Sequence, residues 1–563
     1  MARNGTKSSA FMIASSDRRA DWIDGLLVVL LSAAVFAIAH RHAFFSTYVV
    51  NDDIRQQLFW MARWLDPTLY PPDLLSDYAV AYVPSGVKAL YYLAASGCGC
   101  DPILFSKLLT GALFVLLAVA LYGIGRTLGD RPLGFACAAM AWLMPFFLKN
   151  ISGGLSRAFA APFLALFVLA WLKGRGRAMA LVLILQALCI PYMAVLCAGC
   201  ACLESGLRLL RHRRLGTFPG RVWHFAALLL AAFLVWRMQH AFNAAGFGPL
   251  VTGQALATGP EYGPAGRLDL YPQPNPFFDL VYWPFESIGL FLECGLAAGI
   301  LSLAVLLSVL IRGARRALWP AIWRKSQPLA FLLAGSLVLY TVARIVALTL
   351  FVPDRYISYT LNLLYALGLA ICLRFAVATL LAHHKLAGTG LLLLAAGLGA
   401  WRLTDASLYD YRDGSALYVA VARLPKDALL AGNPNVLDNV LTFGRRDVLA
   451  SYELAHPWSL GYWKRYAPRL TDQAAAYYAK DPATVLTIAR QYGLTHMVVR
   501  ESDFTPKALA GAPVFEPFDA RIRELAAKPG PFVLLDDKLF PSERIAPGFR
   551  LIDLRPLLAA GAQ

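Results

Sequence analysis

Two adjacent carboxylates, Asp52 and Asp53, stand directly after the first long apolar run, at the start of the stretch NDDIRQQLFWMARWLDPTLYPPDLLSDY. Neighbouring carboxylates repel each other, which costs stability unless a cation, a proton or a substrate group offsets them. A positioned carboxylate can take a proton from a hydroxyl as a general base. Asp52 and Asp53 are therefore the candidate catalytic residues.

Two other roles are open to this pair. Carboxylate oxygens are preferred ligands of hard divalent cations, so Asp52 and Asp53 are also candidate ligands of Mg or Mn, although no cofactor is certain. Either residue could instead be the N-cap of an amphipathic helix that lays four apolar residues on the membrane surface. Those four residues are Ile54, Leu58, Met61 and Leu65.

A second group of candidates is cationic. Lys149, Arg157 and Arg355 stand at the predicted outer ends of apolar runs, where they could bind a phosphate group. Arg355 lies in PDRYISYTLN beside Tyr356, which we include in the predicted phosphate site. The alternative for Arg355 is snorkelling towards the membrane surface, or a local ion pair with Asp354.

Other residues in the predicted outer segments are candidates for binding substrate. The tyrosines near position 80 are equally typical of an aromatic belt at the membrane surface. The Pro-rich stretch 241–285 could be a lid over the acceptor or an irregular packed cover. A histidine near two tryptophans could stack on a sugar, although such a histidine is more often structural. The candidates are Asp77, Lys88, Tyr82, Glu261, Tyr262, Trp283 and His456.

Long apolar helices must position these residues. The chain has 563 residues, of which 58% are hydrophobic and 15% are charged, and this balance excludes an ordinary soluble protein. Runs long enough to cross about 30 Å of hydrocarbon predict about eleven transmembrane helices. They lie near 24–45, 103–125, 133–149, 157–172, 178–194, 196–210, 222–240, 286–311, 328–351, 357–381 and 387–402.

The distribution of charge predicts how these helices are oriented. The net charge of +17 comes from short basic connections between the apolar runs rather than from one polar surface, which argues against a nucleic-acid partner. The positive-inside rule then places the amino terminus in the cytoplasm and the loops 46–102 and 241–285 outside. We therefore expect a multi-pass protein of the bacterial inner membrane, surrounded by the lipid bilayer.

The carboxy-terminal part differs in composition from the rest. After residue 402, short apolar segments such as 428–431 and 496–499 alternate with helical stretches such as Pro482–Tyr492. No GxGxxG motif or P-loop indicates a nucleotide. The prediction is a polytopic α-helical transmembrane domain over residues 1–402, followed by a periplasmic α/β domain over 403–563.

Several features follow one another between residues 24 and 210: an apolar run, the acidic pair, a short helix rich in Tyr and Leu, and then FSKLLTGALFVLLAVALYGIGRTLGDRPLGFACAAMAWLMPF. This order resembles the amino-terminal half of GT-C superfamily integral-membrane glycosyltransferases, such as protein O-mannosyltransferases and lipid A aminoarabinose transferases. The match is looser up to residue 402, where it rests on topology.

The resemblance implies a GT-C-like fold and an inverting transfer from a polyprenyl-phosphate sugar. It also implies that an acidic residue of the first outer loop, here Asp52 or Asp53, is the general base or a metal ligand, and that Arg355 contacts phosphate. The second acidic motif of the family is missing, because residues 148–157 read LKNISGGLSR. The pair is therefore expected to act as a base first and as a metal site second.

The expected function is transfer of a sugar to a cell-envelope glycan, lipid or protein at the periplasmic face. One alternative is a transporter or flippase of lipid-linked saccharides, and another is a non-catalytic GT-C-like assembly subunit. Transporters tend to carry ionisable groups at the midplane and repeated halves, whereas the polar residues here cluster at the predicted outer surface. That distribution favours the enzyme.

Overall fold

The structure is a computed structural model, and it describes residues 5–213, 222–268, 318–346, 348–377, 386–511 and 513–560. Helices dominate the chain up to residue 402. They are α1 (Gly5–Ala39), α2 (Arg41–Phe45), α3 (Ile54–Gln57), α4 (Leu74–Tyr82), α5 (Ser85–Cys98), α6 (Pro102–Leu128), α7 (Arg131–Leu143), α8 (Pro145–Ile151), α9 (Ala160–Leu172), α10 (Gly176–Cys189), α11 (Pro191–His212), α12 (Val222–Ala244), α13 (Gly253–Thr258), α14 (Leu318–Lys325), α15 (Gln327–Ile345), α16 (Arg355–Ala376) and α17 (Ala387–Arg402).

The chain is a polytopic helical membrane protein. In the described residues, six helices are long and apolar enough to cross a membrane, or seven if the bent pair α7 and α8 forms one span. This number is smaller than the eleven runs in the sequence. The runs at 157–172, 178–194 and 387–402 form helices shorter than the roughly 20 residues that a full crossing needs. The run at 286–311 lies outside the described residues.

Small residues let α6 pack closely against its neighbours, which include α1, α7 and α9. A Cβ atom on Gly111 would come within 2.5 Å of the Phe36 ring, and one on Gly125 would come within 2.6 Å of the carbonyl oxygen of Leu133. Small residues at helix contacts are the usual means of close approach in membranes. This packing fixes the position of α1, which precedes the loop that carries the acidic pair.

A five-stranded mixed sheet forms the core of the carboxy-terminal α/β domain, in the order β4-β3-β5-β7-β6. β3 is parallel to β4 and β5, whereas β7 is antiparallel to β5 and β6. The strands are β3 (Leu429–Gly432), β4 (Asp447–Val448), β5 (His496–Arg500), β6 (Ser542–Ala546) and β7 (Phe549–Asp553). The helices are α18 (Ser415–Ala422), α19 (Pro434–Asn439), α20 (Leu460–Tyr477), α21 (Pro482–Tyr492), α22 (Pro506–Ala510), α23 (Phe518–Ala527) and α24 (Arg555–Ala560). The prediction of an α/β fold is confirmed.

A two-stranded antiparallel sheet joins the first loop to the α/β domain. Its strands are β1 (Val49–Val50), directly before the acidic pair, and β2 (Tyr409–Asp410), which follows the last apolar helix. The segment after α12 also lies on the α/β domain, where the backbone N–H of Val251 donates to the carbonyl of Trp458 at 2.8 Å. The first loop and the segment after α12 therefore both contact the carboxy-terminal part of the chain.

Candidate active site

The acidic pair stands at the beginning of α3. Asp53 occupies the N-cap position of this four-residue helix, but its side chain makes no capping hydrogen bond. Of the apolar residues considered for a surface helix, only Leu65 is exposed, at 38%. A capped helix lying on the membrane is therefore wrong, because the protein core covers this face. The buried residues are Ile54, Leu58 and Met61.

Asp52 is held by groups from the first loop and from the α/β domain. The Tyr411 hydroxyl donates to Asp52 Oδ1 at 2.5 Å, and the Arg55 guanidinium forms an ion pair with the same oxygen. Arg55 also lies over the Tyr411 ring, 4.6 Å from its centroid. Asp52 thus accepts two strong hydrogen bonds, which fix its carboxylate and neutralise its charge.

Asp53 faces a different set of groups, which come from the helical part of the chain. Arg157 forms an ion pair with Asp53 Oδ2, and Gln56 Nε2 donates to Asp53 Oδ1 at 3.0 Å. The two neighbouring carboxylates therefore pair with different cations, Arg55 and Arg157. A cation beside each of them offsets the repulsion expected from the sequence.

Asn51, which the sequence analysis overlooked, connects these groups. Its Oδ1 accepts from the backbone N–H of Asp53 at 3.2 Å and from Arg157 Nη2 at 3.3 Å. Its Nδ2 donates to the carbonyl of Ser407 at 3.0 Å. Gly153, at φ +91°, packs so closely that a Cβ there would lie 2.9 Å from the Asn51 side chain. Asn51 is 3% exposed and fixes the geometry of Asp53 and Arg157.

Tyr82 shares this electrostatic environment. Burial and the charge of Asp53 raise the pKa of Tyr82 to about 12, whereas Arg355, Arg157 and Arg267 act to lower it. Asp53 also acts electrostatically on Arg355. Four residues predicted from separate parts of the sequence, Asp53, Tyr82, Arg157 and Arg355, therefore lie in one region.

Arg355 begins α16 beside its sequence neighbour Asp354, with Nε 3.9 Å from Asp354 Oδ1. The Arg355 side chain remains one-third exposed. Tyr192 and Tyr359 act on it electrostatically, and the Tyr359 hydroxyl donates to Asn150 at 3.2 Å. A partly exposed guanidinium, bordered by phenols and under the electrostatic influence of Asp53, is suited to binding an anion.

Several other predicted residues make contacts of their own. The hydroxyl of the buried Tyr356 donates to the carbonyl of Leu350, so it is engaged with the backbone. Lys149 is exposed on α8, and Asp77 is exposed on α4. Lys88 Nζ donates to the carbonyl of Val80 at 2.9 Å. No direct contact links these four predicted residues to the acidic pair in the part of the chain described.

The described part of the second long loop packs on the α/β domain. Trp463 Nε1 donates to Glu261 at 3.3 Å, and the Tyr262 hydroxyl donates to the carbonyl of Pro457 at 2.8 Å. These contacts favour the packed cover over an open lid for residues up to 268. Trp283 lies outside the described residues.

His456 is enclosed by aromatic side chains and is 1% exposed. Its ring stacks 4.2 Å from Trp458, and Nδ1 is 2.9 Å from the Tyr78 hydroxyl. Burial lowers the pKa of His456 well below its usual value, which favours a neutral ring. The ring is thus occupied by contacts within the protein, as expected of a structural histidine, and a sugar has no free face on which to stack.

Two buried acids of the α/β domain, Glu453 and Asp438, were not predicted. Glu453 Oε1 lies 3.3 Å from Arg55 Nη2, and Oε2 lies 3.3 Å from Arg267 Nη2. The backbone N–H of Glu453 donates to Asp438 Oδ1 at 2.9 Å. Burial raises the pKa of both carboxyl groups, and each arginine opposes that rise. Their sequence neighbourhoods contain no motif that would have pointed to them.

The acids do not form a good metal site. Among the described residues, no three His, Cys, Asp or Glu side chains are grouped so that they could hold an ion. Asp52 and Asp53 are each paired with a guanidinium that a metal ion would have to displace. This donor set fits a hydrogen-bonded base better than it fits a divalent cation.

The structure combines a bundle of membrane helices with a carboxy-terminal α/β domain. Solved structures of the oligosaccharyltransferase AglB from Archaeoglobus fulgidus share this fold at 13% identity and a TM-score of 0.50. The complex with an inhibitory peptide and a dolichol-phosphate matches over 87% of this chain and 70% of its own. The apo form matches over 89% and 72%.

The same enzyme tethered to an acceptor peptide containing the NVT sequon also matches, at 13% identity and a TM-score of 0.50, over 89% of this chain and 71% of that chain. No protein-family profile and no curated protein sequence matches the chain. At this identity the likeness establishes the fold. The roles of the individual side chains depend on the geometry described above.

Proposed function

We propose that the chain is a glycosyltransferase that moves a sugar from a polyprenyl-phosphate donor to a cell-envelope acceptor on the periplasmic side of the bacterial inner membrane. The observation that carries this proposal is the ion pair of Asp53 with Arg157, together with the electrostatic influence of Asp53 on Tyr82 and Arg355. The shared fold supports it, because one AglB structure contains a dolichol-phosphate.

In this proposal Asp53 is the general base. It takes the proton of an acceptor hydroxyl while that oxygen attacks the anomeric carbon of the donor sugar. The bond between the anomeric carbon and the phosphate oxygen breaks, and the polyprenyl phosphate leaves with the bonding electrons. Arg355 and Arg157 stabilise the negative charge on the leaving phosphate. A single displacement of this kind inverts the anomeric centre.

The ion pair between Arg157 and Asp53 suggests an order of events. Before the donor binds, the Arg157 guanidinium pairs with Asp53 Oδ2 and occupies the oxygen that would accept the proton. A donor phosphate competes for Arg157, which releases Asp53 to act as a base only when a donor is present. Asp52, held by Arg55 and Tyr411, fixes the loop from which Asp53 projects.

The test uses the purified full chain in liposomes with undecaprenyl-phosphate-linked hexoses and pentoses, and with envelope extract as acceptor. Release of undecaprenyl phosphate is measured for the wild type, for Asp53→Asn and for Asp553→Asn. The control residue Asp553 also pairs with an arginine, Arg555, at 2.7 Å, but it lies on β7. We expect Asp53→Asn to lower turnover by about 10²- to 10⁴-fold and the control to leave it unchanged.

Wild-type turnover by Asp53→Asn, or the absence of turnover with every donor class, would overturn the proposal. Saccharide translocation across sealed vesicles by Asp53→Asn, without release of undecaprenyl phosphate, would instead favour a flippase.

A further inference from the structure

Glu453 connects both members of the acidic pair through separate donors. Its Oε1 lies 3.3 Å from Arg55 Nη2, and the same nitrogen pairs with Asp52 Oδ1. Its Oε2 accepts from Gln56 Nε2 at 3.5 Å, and the same nitrogen donates to Asp53 Oδ1 at 3.0 Å. Each oxygen of Glu453 is therefore one shared donor away from a different aspartate.

We propose that Glu453 is a positioning residue for the transfer reaction, setting the separation and orientation of Asp52 and Asp53 through Arg55 and Gln56. This inference rests on the proposed function, and it adds a residue that lies some four hundred positions from the acidic pair. Glu453 contacts neither reacting atoms nor phosphate in this assignment. It acts through the two donors.

The burial of Glu453 makes this arrangement rigid. Glu453 is 6% exposed, and its backbone is fixed by the hydrogen bond to Asp438. Asp438 Oδ2 also lies 3.7 Å from Arg55 Nη1. Buried charged groups are held in place by partners of opposite charge, because losing one partner leaves the other unpaired away from water. Glu453 and Arg55 therefore cannot move independently.

Arg267 extends the same network to the second long loop. Its Nη2 lies 3.3 Å from Glu453 Oε2, and its guanidinium stacks 4.4 Å from the centroid of the Tyr452 ring. Glu453 thus receives donors from the first loop and from the second loop while belonging to the α/β domain itself. The acidic pair attains its geometry only when all three segments are docked.

The variant Glu453→Gln breaks this connection with little change in shape. A carboxylate has two acceptor oxygens, whereas a carboxamide has one acceptor oxygen and one NH₂ donor. Whichever way the amide is oriented, its NH₂ group therefore faces the N–H donors of either Arg55 or Gln56, and that hydrogen bond is lost. Glu501→Gln is the matched control, because Glu501 also pairs with an arginine, Arg550, at 2.6 Å, but it follows β5 and pairs with neither Arg55 nor Gln56.

Turnover is measured as release of undecaprenyl phosphate by the full chain in liposomes. For Glu453→Gln we expect kcat to fall about 10- to 100-fold, with the KM for the donor changed less than about twofold, because the phosphate-binding arginines are untouched. Glu501→Gln is expected to keep both constants. Wild-type kcat in Glu453→Gln, or an equal loss in both variants, would overturn the proposal.

Gln56→Leu supplies a second measurement that leaves Glu453 and its arginines in place. If Glu453 acts partly through Gln56, the double variant should lose at least about threefold less activity than the product of the two single losses. Independent losses that multiply indicate a purely structural contribution and overturn the inference. If Glu453→Gln does not fold, wild-type kcat in Gln56→Leu alone overturns it.

Asp53→Asn is assayed in parallel, so that the two proposals can fail separately. An inactive Asp53→Asn beside a fully active Glu453→Gln removes the positioning role and leaves the proposed function standing. A fully active Asp53→Asn removes the proposed function and the positioning role together.

Discussion

Replacing Asn51 by alanine should disturb Asp53 and Arg157 without touching either of them. The amide of Asn51 makes three hydrogen bonds, to the backbone N–H of Asp53, to Arg157 Nη2 and to the carbonyl of Ser407. Asn51→Ala removes all three and leaves space beneath Gly153, which packs against the amide. The backbone of Asp53 and the guanidinium of Arg157 are then free to shift.

The size of the effect follows from this count. A typical intramolecular hydrogen bond contributes about 1 kcal/mol net to stability, so three lost bonds correspond to about 3 kcal/mol. If about half of that free energy is lost from the stabilisation of the transition state, kcat/KM falls roughly 10-fold, since about 1.4 kcal/mol corresponds to a factor of ten. We therefore expect a fall of about 10- to 30-fold together with a lower unfolding temperature.

The assay measures kcat/KM for undecaprenyl-phosphate release alongside thermal unfolding of the detergent-solubilised protein. Asn435→Ala is the control, because its amide also donates to a backbone carbonyl, that of Pro513 at 2.8 Å, and not to Asp53 or Arg157. The control should lose stability and keep its kcat/KM. If Asn51→Ala loses stability but keeps wild-type kcat/KM, the reasoning that Asn51 sets the geometry of the base is refuted.

Two further predictions concern charge. Arg355→Gln should raise the KM for the donor at least about tenfold and should weaken inhibition by free undecaprenyl phosphate by the same factor. The control Arg423→Gln, which replaces an exposed arginine of the α/β domain, should change neither quantity. Unaltered inhibition in Arg355→Gln would show that Arg355 does not bind the phosphate. Burial and, to a smaller extent, the charge of Asp73 raise the pKa of Asp447 from 3.8 to about 7. The folded chain therefore retains a proton that the unfolded chain releases near pH 4, and the free energy of unfolding falls as the pH rises between these two values. Since one pKa unit corresponds to about 1.4 kcal/mol, the free energy of unfolding of Asp447→Asn should rise relative to that of the wild type by up to ~4 kcal/mol as the pH increases from about 4 to about 7. A difference in free energy of unfolding that stays constant across that pH range would contradict the assignment.

The predicted fold depended on local patterns, and most of them are found in the structure. The segment expected to be helical at Pro482–Tyr492 forms α21 with the same bounds, and the expected strand at 496–499 forms most of β5. Such elements can be predicted because the spacing of apolar side chains within a short segment differs between a helix and a strand. The number of full membrane crossings was less accurate, because apolar composition does not reveal where a helix breaks, as it does between α7 and α8.

The candidate site was predicted in part. Adjacent carboxylates and cationic residues at the ends of apolar runs indicate chemistry by residue type. This reasoning selected the pair Asp52 and Asp53 without choosing between them, together with Lys149, Arg157 and Arg355. It also selected Tyr356 and His456, whose polar groups the structure shows engaged within the protein. Residue type alone cannot distinguish a side chain that faces a site from one that is occupied by its neighbours.

The sequence by itself determined that this is a polytopic membrane protein with an α/β domain and an acidic first loop, because hydropathy and periodicity are local properties. Only the tertiary structure decided that Asp52 turns towards Arg55 and Tyr411 while Asp53 turns towards Arg157. It also brought Glu453 to the acidic pair, since contacts between segments hundreds of residues apart depend on how the helices, loops and sheet pack together. The physical reason is that side-chain direction and pairing arise from that packing, which no local pattern records.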